Sequence, residues 1–308
     1  MCEGKCRLDE KYIIEQQMTG AGMKIGQGTG TMSKQLTVLI GMIGVFAVVS
    51  SLFIYHWLNP AFQYPEARGG MLDARQWNFA EQGIVPLRGE WEFYENKLLT
   101  PEDFRIDGKA LQAERRIVRV PGGWRGVVSS VSGYGAGTYR LRVQVSDPDF
   151  YSLRGKKIRM SSHIYMAGLD MGGSGKPDLS ADRFIPGNLP FFGTIKADTD
   201  TVDILIQVTS FRYMEGGLVQ APEFGLTADV MARRDNARLA DMIVITAMLV
   251  FGIYFAGMFK QWRKEPYLVV FSLFCLSSGM FFSFDGEIII ASLLPTISFL
   301  FLQKMLLS

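Results

Sequence analysis

Uncharged apolar residues fall into four runs along the chain, each close to the length that spans a bilayer core. The first run covers residues 36–58, and the others, at 242–259, 267–284 and 288–303, follow a polar stretch of about 180 residues. The helix that contains the second run is predicted at 239–259. Runs of this length and composition indicate transmembrane helices. The pattern predicts an integral membrane protein with one helix before a large extramembrane domain and three helices after it.

The first run follows a glycine-rich leader, residues 1–35, that has neither helical nor strand periodicity. Such a leader is expected to be disordered, and here also cytoplasmic. The run is longer than a typical signal-peptide core and no small-residue cleavage site ends it, so we interpret it as an uncleaved signal anchor. Met32 is an alternative start residue; N-terminal mass determination would contradict this hypothesis by detecting residues before it.

Charges in the short loops predict how the chain is oriented in the cell membrane. The loop at 260–265 holds three basic residues, whereas the loop at 285–287 holds two acidic residues and no basic one. By the positive-inside rule the first loop is cytoplasmic, which places residues 59–238 outside the cytoplasm. The arginines within 233–238 oppose this orientation, but they flank a long translocated domain, where charge has less influence.

The extramembrane domain has the alternation of a β protein. In residues 137–145, Tyr139, Leu141 and Val143 fall on one side of an extended chain, and Arg140 and Arg142 fall on the other. This pattern predicts a half-buried strand, and no long amphipathic helix separates the predicted strands, so an antiparallel sandwich or jelly roll is expected. The predicted strands are at 91–94, 117–120, 137–145, 157–162, 164–169 and 202–208.

Composition excludes several classes of protein. The net charge of +2 is small and evenly spread, which argues against nucleic acid as a partner. The three cysteines lie outside the extramembrane domain, so no disulfide framework supports its core. The combination of 48% hydrophobic with 20% charged residues fits a chain with one part in lipid and another in water.

Several segments, in a fixed order, carry a resemblance to a known family. They are LRGEWEFYENKLLTPEDF, VPGGWRG, GYGAGTYRLRVQV, IYMAGL and VDILIQVTSFRYMEGGLVQAPEFG, followed by FGIYFAGMFKQWRKEPYLVVFSLFCLSSGM. The chain from about residue 77 onwards resembles bacterial seven-transmembrane receptors with diverse intracellular signalling modules. The resemblance implies an extracellular jelly-roll domain, galactose-binding-like in fold, that senses a ligand outside and produces an output inside.

The chain departs from that family pattern at several points. Ala167-Gly168 stands where the family usually has an Asn-Gly turn, and the family usually has an Asn near the position of Ser210. Three predicted helices follow the domain instead of seven, and no kinase, cyclase or phosphatase module follows them. The chain is therefore expected to be a truncated receptor, or a shortened relative that acts through a cytoplasmic or membrane signalling partner.

The residues give little support to an enzyme. His163 is the only histidine of the extramembrane domain, which has no cysteine, so a nucleophilic triad and a zinc site both lack members. The carboxylates Asp178 and Asp182 are typical of a solvated loop. We expect no catalytic residue, no metal and no cofactor.

A binding surface for a small, carbohydrate-like ligand combines aromatic faces with charged or amide groups. Candidates of both kinds lie in predicted loops or strand ends: Trp124, Tyr134, Asp170, Arg183, Arg212, Tyr213 and Glu215. The sequence predicts a membrane-anchored receptor-like sensor. Two alternatives stay open: the sensory fragment of a histidine kinase or diguanylate cyclase without its output module, and a non-signalling cell-surface scaffold.

Overall fold

The computed structural model describes residues 28–58, 63–130, 133–156, 158, 160–187, 189–211, 216–262 and 265–284, with the side chains of 28–39, 56–58 and 284 left out. The chain divides into two compact units, residues 1–63 and residues 64–308. The first unit contains helix α1, Gly28–Leu58, which begins within the segment expected to be a disordered leader. Residues 1–27 of that leader lie outside the described residues.

The second unit holds the strands and the remaining helices. Their bounds in chain order are β1 Met71–Asp73, α2 Phe79–Gln82, β2 Val85–Pro86, β3 Gly89–Glu95, α3 Pro101–Glu114, β4 Arg116–Val120, β5 Gly135–Gln144, β6 Phe150–Gly155, β7 Ser161–Met166, β8 Leu169–Ser174, β9 Phe191–Lys196, β10 Thr201–Ser210, β11 Glu223–Leu226, α4 Thr227–Gln261 and α5 Tyr267–Phe284.

Within the described residues, these eleven strands form two sheets. Sheet A has the order β4-β3-β5-β10-β7-β8, with β1 parallel to the end of β5, and sheet B has the order β2-β11-β6-β9. All neighbours other than β1 and β5 are antiparallel. The inner faces of both sheets contribute to one hydrophobic core, which confirms the expected antiparallel sandwich.

Aromatic rings fill the core beneath sheet A. Tyr139, Leu141 and Val143 point inward from β5, as their alternation predicts. The ring of Tyr139 lies 4.8 Å from that of Phe93 and 6.3 Å from that of Trp91, measured between centroids. Large buried rings contribute much apolar area, so these contacts stabilise the centre of sheet A.

Two local expectations are wrong. The strands expected at 157–162 and 164–169 are replaced by β7 and β8, which meet at a two-residue turn, Ala167-Gly168, with φ angles of 49° and 82°. Left-handed φ at both turn residues matches the right-handed twist of a hairpin, so the chain reverses direction at 167–168. The first strand therefore ends at Met166, and the second begins at Leu169, after the reversal. The 14-residue helix α3 was also not expected; Thr100 and Asp103 form a capping box at its start.

Helices α4 and α5 follow the sandwich and pack against each other. Ser272 Oγ donates to the Gly252 carbonyl over 2.8 Å, and a Cβ at Gly252 would lie 2.6 Å from Leu276 Cδ2, so close approach of the two helices requires glycine. The bounds of α5 match the run expected at 267–284. The border expected between residues 238 and 239 falls inside α4, and the run expected at 288–303 lies outside the described residues.

Among the described residues, one helix is long and apolar enough to cross a membrane. Helix α4 contains an 18-residue window of mean hydropathy 2.3, of which 6% is buried. The apolar helical stretches Ile40–Tyr55 and Tyr267–Ser283 are shorter. Length and composition alone support this statement.

Candidate functional site

Helix α4 leaves the sandwich without a linker. Strand β11 ends at Leu226 and the helix begins at Thr227. The Thr227 hydroxyl donates to the Phe150 carbonyl over 3.0 Å and accepts from the Ser152 hydroxyl over 3.0 Å. Val230, one turn later, has no exposed surface and lies against Gly225, whose bare backbone leaves space for it. The start of α4 is therefore fixed to the outer face of sheet B.

Charged side chains of sheet B lie close to this part of the helix. Arg154 on β6 is 1% exposed, and its Nη1 donates to Glu223 Oε2 on β11 over 2.6 Å. Arg234 of α4 stacks over the Phe192 ring of β9, 4.4 Å from its centroid. The shielded ion pair joins β6 to β11, and the cation–π contact joins β9 to the helix.

A cleft of about 540 Å³ opens between strand β2 and the first three turns of α4. One wall is the edge of sheet B with the residues that precede it, and the other wall is the helix. The lining residues are Tyr64, Gln82, Gly83, Ile84, Pro86, Arg88, Glu223, Asp229, Ala232, Arg233 and Asn236. A ligand in this cleft would touch both the sandwich and the helix that leaves it.

The cleft presents unpaired charges next to a small apolar surface. Within the part of the chain that the structure describes, Arg88, Arg233 and Asp229 form no ion pair. Tyr64 supplies an aromatic ring, which lies 5.4 Å from the Trp77 ring. Small-molecule sites combine a few convergent polar groups with apolar walls, and their volumes are roughly 300–1,000 Å³. The cleft has a volume in that range and brings polar groups together, with a lining that is more polar than apolar.

The outer face of sheet A carries a second charged cluster, centred on Glu92. This carboxylate is 1% exposed and lies 3.1 Å from Arg115 Nη1, 3.2 Å from Arg142 Nη2 and 3.9 Å from Arg140 Nη1. Arg140 also forms a hydrogen-bonded ion pair with Asp203, at 2.7 Å. Each charge of this cluster has a partner inside it, so the cluster holds strands β3, β5 and β10 together and leaves little for a ligand.

Titration of the groups around Glu92 reflects the same burial. Burial raises the pKa of Tyr94 to about 12, with a further contribution from the charge of Glu92, whose carboxylate accepts the Tyr94 hydroxyl at 3.1 Å. Burial opposes the charge of Arg140, but its bonds to Asp203 raise the pKa of the guanidinium overall. Both side chains therefore stay in their ordinary charge states over the physiological pH range.

The structure places Trp124 in the core. Its ring has no exposed surface, its Nε1 donates to the Tyr139 hydroxyl over 2.7 Å, and it packs 5.8 Å from the Phe93 ring. A ligand has no access to this ring, so the expected stacking role of Trp124 is corrected to a core role. The backbone N–H of Trp124 also donates to the carbonyl of Gly216 over 3.1 Å, which joins this loop to the segment before β11.

Three other predicted site residues do not form one surface through direct contacts. Tyr134 is half-buried in the loop before β5. Asp170 is exposed on β8, and its carboxylate accepts a hydrogen bond from the Gly172 N–H, which lowers the pKa of Asp170. His163, whose Nε2 lies 2.8 Å from Asp170 Oδ1, lowers it further. Arg183 is 72% exposed and bonded to Asp178 within its own loop. The remaining candidates, Arg212, Tyr213 and Glu215, lie outside the described residues.

Sequence reasoning missed the residues of the cleft. Arg88 lies in a segment that carries the family resemblance, Arg233 is one of the basic residues that bear on the predicted orientation in the membrane, and no sequence motif includes Asp229. Nothing in the local pattern marks them as neighbours, because strand β2 and helix α4 lie at opposite ends of the domain sequence and meet only through the pairing of β2 with β11.

No family model and no curated protein matches the chain. Partial likenesses exist to solved structures of glycoside hydrolases. A GH2 beta-galacturonidase from Eisenbergiella tayi bound to galacturonate is 15% identical, with a TM-score of 0.33, over 46% of this chain and 24% of that chain. Beta-glucuronidase of Ruminococcus gnavus is 14% identical, with a TM-score of 0.32, over 46% of this chain and 28% of that chain. A putative beta-galactosidase from Bacteroides fragilis is 14% identical, with a TM-score of 0.33, over 46% of this chain and 22% of that chain. The chain spans about a quarter of the length of these enzymes.

Proposed function

We propose that the protein is a membrane-anchored sensor, whose extracytoplasmic sandwich binds a small, carbohydrate-like ligand and transmits binding through helix α4. It acts as a binding module rather than as an enzyme. The proposal keeps the resemblance to bacterial seven-transmembrane receptors, with a galactose-binding-like jelly roll and several membrane helices, of which α1, α4 and α5 are candidates.

The observation that carries this proposal is the continuity of α4. Its first turn is held on sheet B by the hydrogen bond of the Thr227 hydroxyl and by the burial of Val230. The same helix continues without a break into a stretch apolar enough to cross a membrane. A continuous helix transmits a change in its direction over its whole length, whereas a flexible linker would lose it. A ligand that favours one of two helix positions would shift the population between them.

Labelling of single cysteines tests the topology that the proposal needs. In a chain whose three native cysteines are replaced, Ser129→Cys and Gln261→Cys each introduce one thiol at an exposed position of the sandwich and of the end of α4. In spheroplasts, a membrane-impermeant maleimide is expected to label the first variant at once and the second only after permeabilisation. Labelling of both variants from the same side contradicts the proposal.

A further inference from the structure

We propose that the cleft between β2 and α4 is the ligand site, and that it takes a small organic anion with one carboxylate and several hydroxyl groups, such as an acidic sugar. This inference rests on the proposed sensor function and specifies its site and ligand class. It differs from the expectation drawn from the sequence, which placed the ligand at loops elsewhere on the sandwich.

The charges in the cleft favour a single anionic group. Glu223 is neutralised by Arg154, which approaches it to 2.6 Å. The lining then retains the two guanidinium groups of Arg88 and Arg233 and the carboxylate of Asp229, which leaves one excess positive charge. A ligand with one negative charge balances that excess, whereas a neutral ligand leaves it in place.

The geometry of the guanidinium group favours a carboxylate as that anion. Its planar fork of N–H donors matches the two oxygens of a carboxylate, and such charge-assisted pairs are stronger than neutral hydrogen bonds. Asn236 and Asp229 add groups that hydrogen-bond hydroxyls. The Tyr64 ring and the Pro86 side chain offer apolar surface to the C–H face of a sugar ring.

The two walls explain why binding here would act on the helix. Arg88 belongs to the sandwich, next to β2, and Arg233 belongs to the second turn of α4. A carboxylate held between them lowers the free energy of the arrangement in which both arginines face the cleft. The ligand therefore selects one position of α4 relative to sheet B.

Calorimetric titration of the full chain in lipid nanodiscs tests the ligand class. The probes are D-glucuronate, D-galacturonate and D-gluconate, with D-glucose and D-galactose as neutral counterparts; glucuronate and glucose differ only at carbon 6. At least one carboxylate is expected to bind at least about tenfold more tightly than its neutral counterpart, as one charge-assisted bond allows. The proposal is overturned if acidic and neutral sugars bind with equal affinity, or if none of the three carboxylates binds at millimolar concentration.

Variants locate the site. Arg88→Gln and Arg233→Gln are each expected to weaken carboxylate binding about tenfold or more. Arg233→Lys keeps the charge but not the planar fork of donors, so its affinity should lie between those of the parent chain and Arg233→Gln. Arg119→Gln is the matched control, because Arg119 is 79% exposed on edge strand β4. Arg88 and Arg233 are both exposed, so thermal unfolding of all variants should match that of the parent chain. Unchanged affinity in both cleft variants contradicts the site.

Hydrogen exchange separates this inference from the proposed function. Carboxylate binding that slows amide exchange in residues 227–238 supports both the site and the transmission through α4. Binding that depends on Arg88 and Arg233 but leaves that exchange unchanged supports the cleft and contradicts transmission. Absence of binding contradicts the cleft, and the labelling test of topology then decides on the sensor independently.

Discussion

The docking of α4 on sheet B should depend on Val230. Among the described side chains of the first three helical turns, Val230 is the one that is fully buried. The substitution Val230→Ala removes two methyl groups, which is about 1.6 kcal/mol of transfer free energy. The cavity left against Gly225 and Ile84 raises the cost to about 2–3 kcal/mol. The population of undocked helix should rise by roughly 30- to 150-fold.

Hydrogen–deuterium exchange of the full chain in nanodiscs measures this change directly. Amides of residues 227–238 exchange through local opening, so their rates should rise with the undocked population. The matched control is Val250→Ala on the same helix, since Val250 is 58% exposed. It should leave exchange at 227–238 unchanged. Equal exchange in the two variants would refute the conclusion that the first turns of α4 are held by the sandwich.

Three further predictions concern the sandwich itself. Replacement of Ala167, which has φ 49°, by Asn should raise stability towards urea by about 0.5–1 kcal/mol, because Asn tolerates the left-handed region; an unchanged or lower midpoint contradicts this. Glu92→Gln should lower the free energy of unfolding by about 3 kcal/mol, since three arginines lose their shared carboxylate, while the exposed control Glu81→Gln should change it by less than about 0.5 kcal/mol. The absorbance difference between the parent chain and Tyr94→Phe should show a tyrosine that ionises near pH 12. Because the pKa of Tyr94 is raised from 10.0 in the folded state, the contribution of neutral Tyr94 to stability is complete below pH 10 and is lost towards pH 12. Ionisation near pH 10 would contradict the burial of this side chain.

The central strands of sheet A could be predicted because their residues alternate without interruption. Strand β5 has Tyr139, Leu141 and Val143 inward and Arg140 and Arg142 outward, and the register with β10 preserves this alternation across both strands. Period-two patterns determine which face is buried, whatever the neighbours are. The sandwich class followed from these strands.

Helix α3 was missed although its start carries a signal. Thr100, Pro101 and Asp103 give a capping box with proline at the first helical position. The rest of the helix lacks a clean apolar face, and Asp107 has non-helical angles where two segments join. Local patterns fail here because the helix is held mainly by Leu111 and Phe104 against Tyr94 and Leu99 of the domain.

The candidate site depended on contacts that no local pattern contains. Trp124 stands between glycines and an arginine, which is typical of an exposed loop, yet it completes the core because Gly216 and Gly217 leave space beside its ring. Arg88 and Arg233 come together only because β2 pairs with β11, and α4 follows β11 directly. To predict that these residues are neighbours, one must know the order of the strands in sheet B, and strands as short as these do not reveal that order in the sequence.

The two outer faces of the sandwich differ in how firmly they are held, and this difference decides where a ligand could act. The outer face of sheet A is fixed by the Glu92 cluster and by α3, so movement there would break several buried charge contacts at once. The outer face of sheet B is covered by α4, which depends on Val230, the Thr227 hydroxyl and one cation–π contact. Elements with few buried contacts open at the lowest free energy. A small ligand, whose differential binding is limited to a few kcal/mol, can therefore redistribute α4 but not α3, and the cleft beside α4 is where its binding would have an effect.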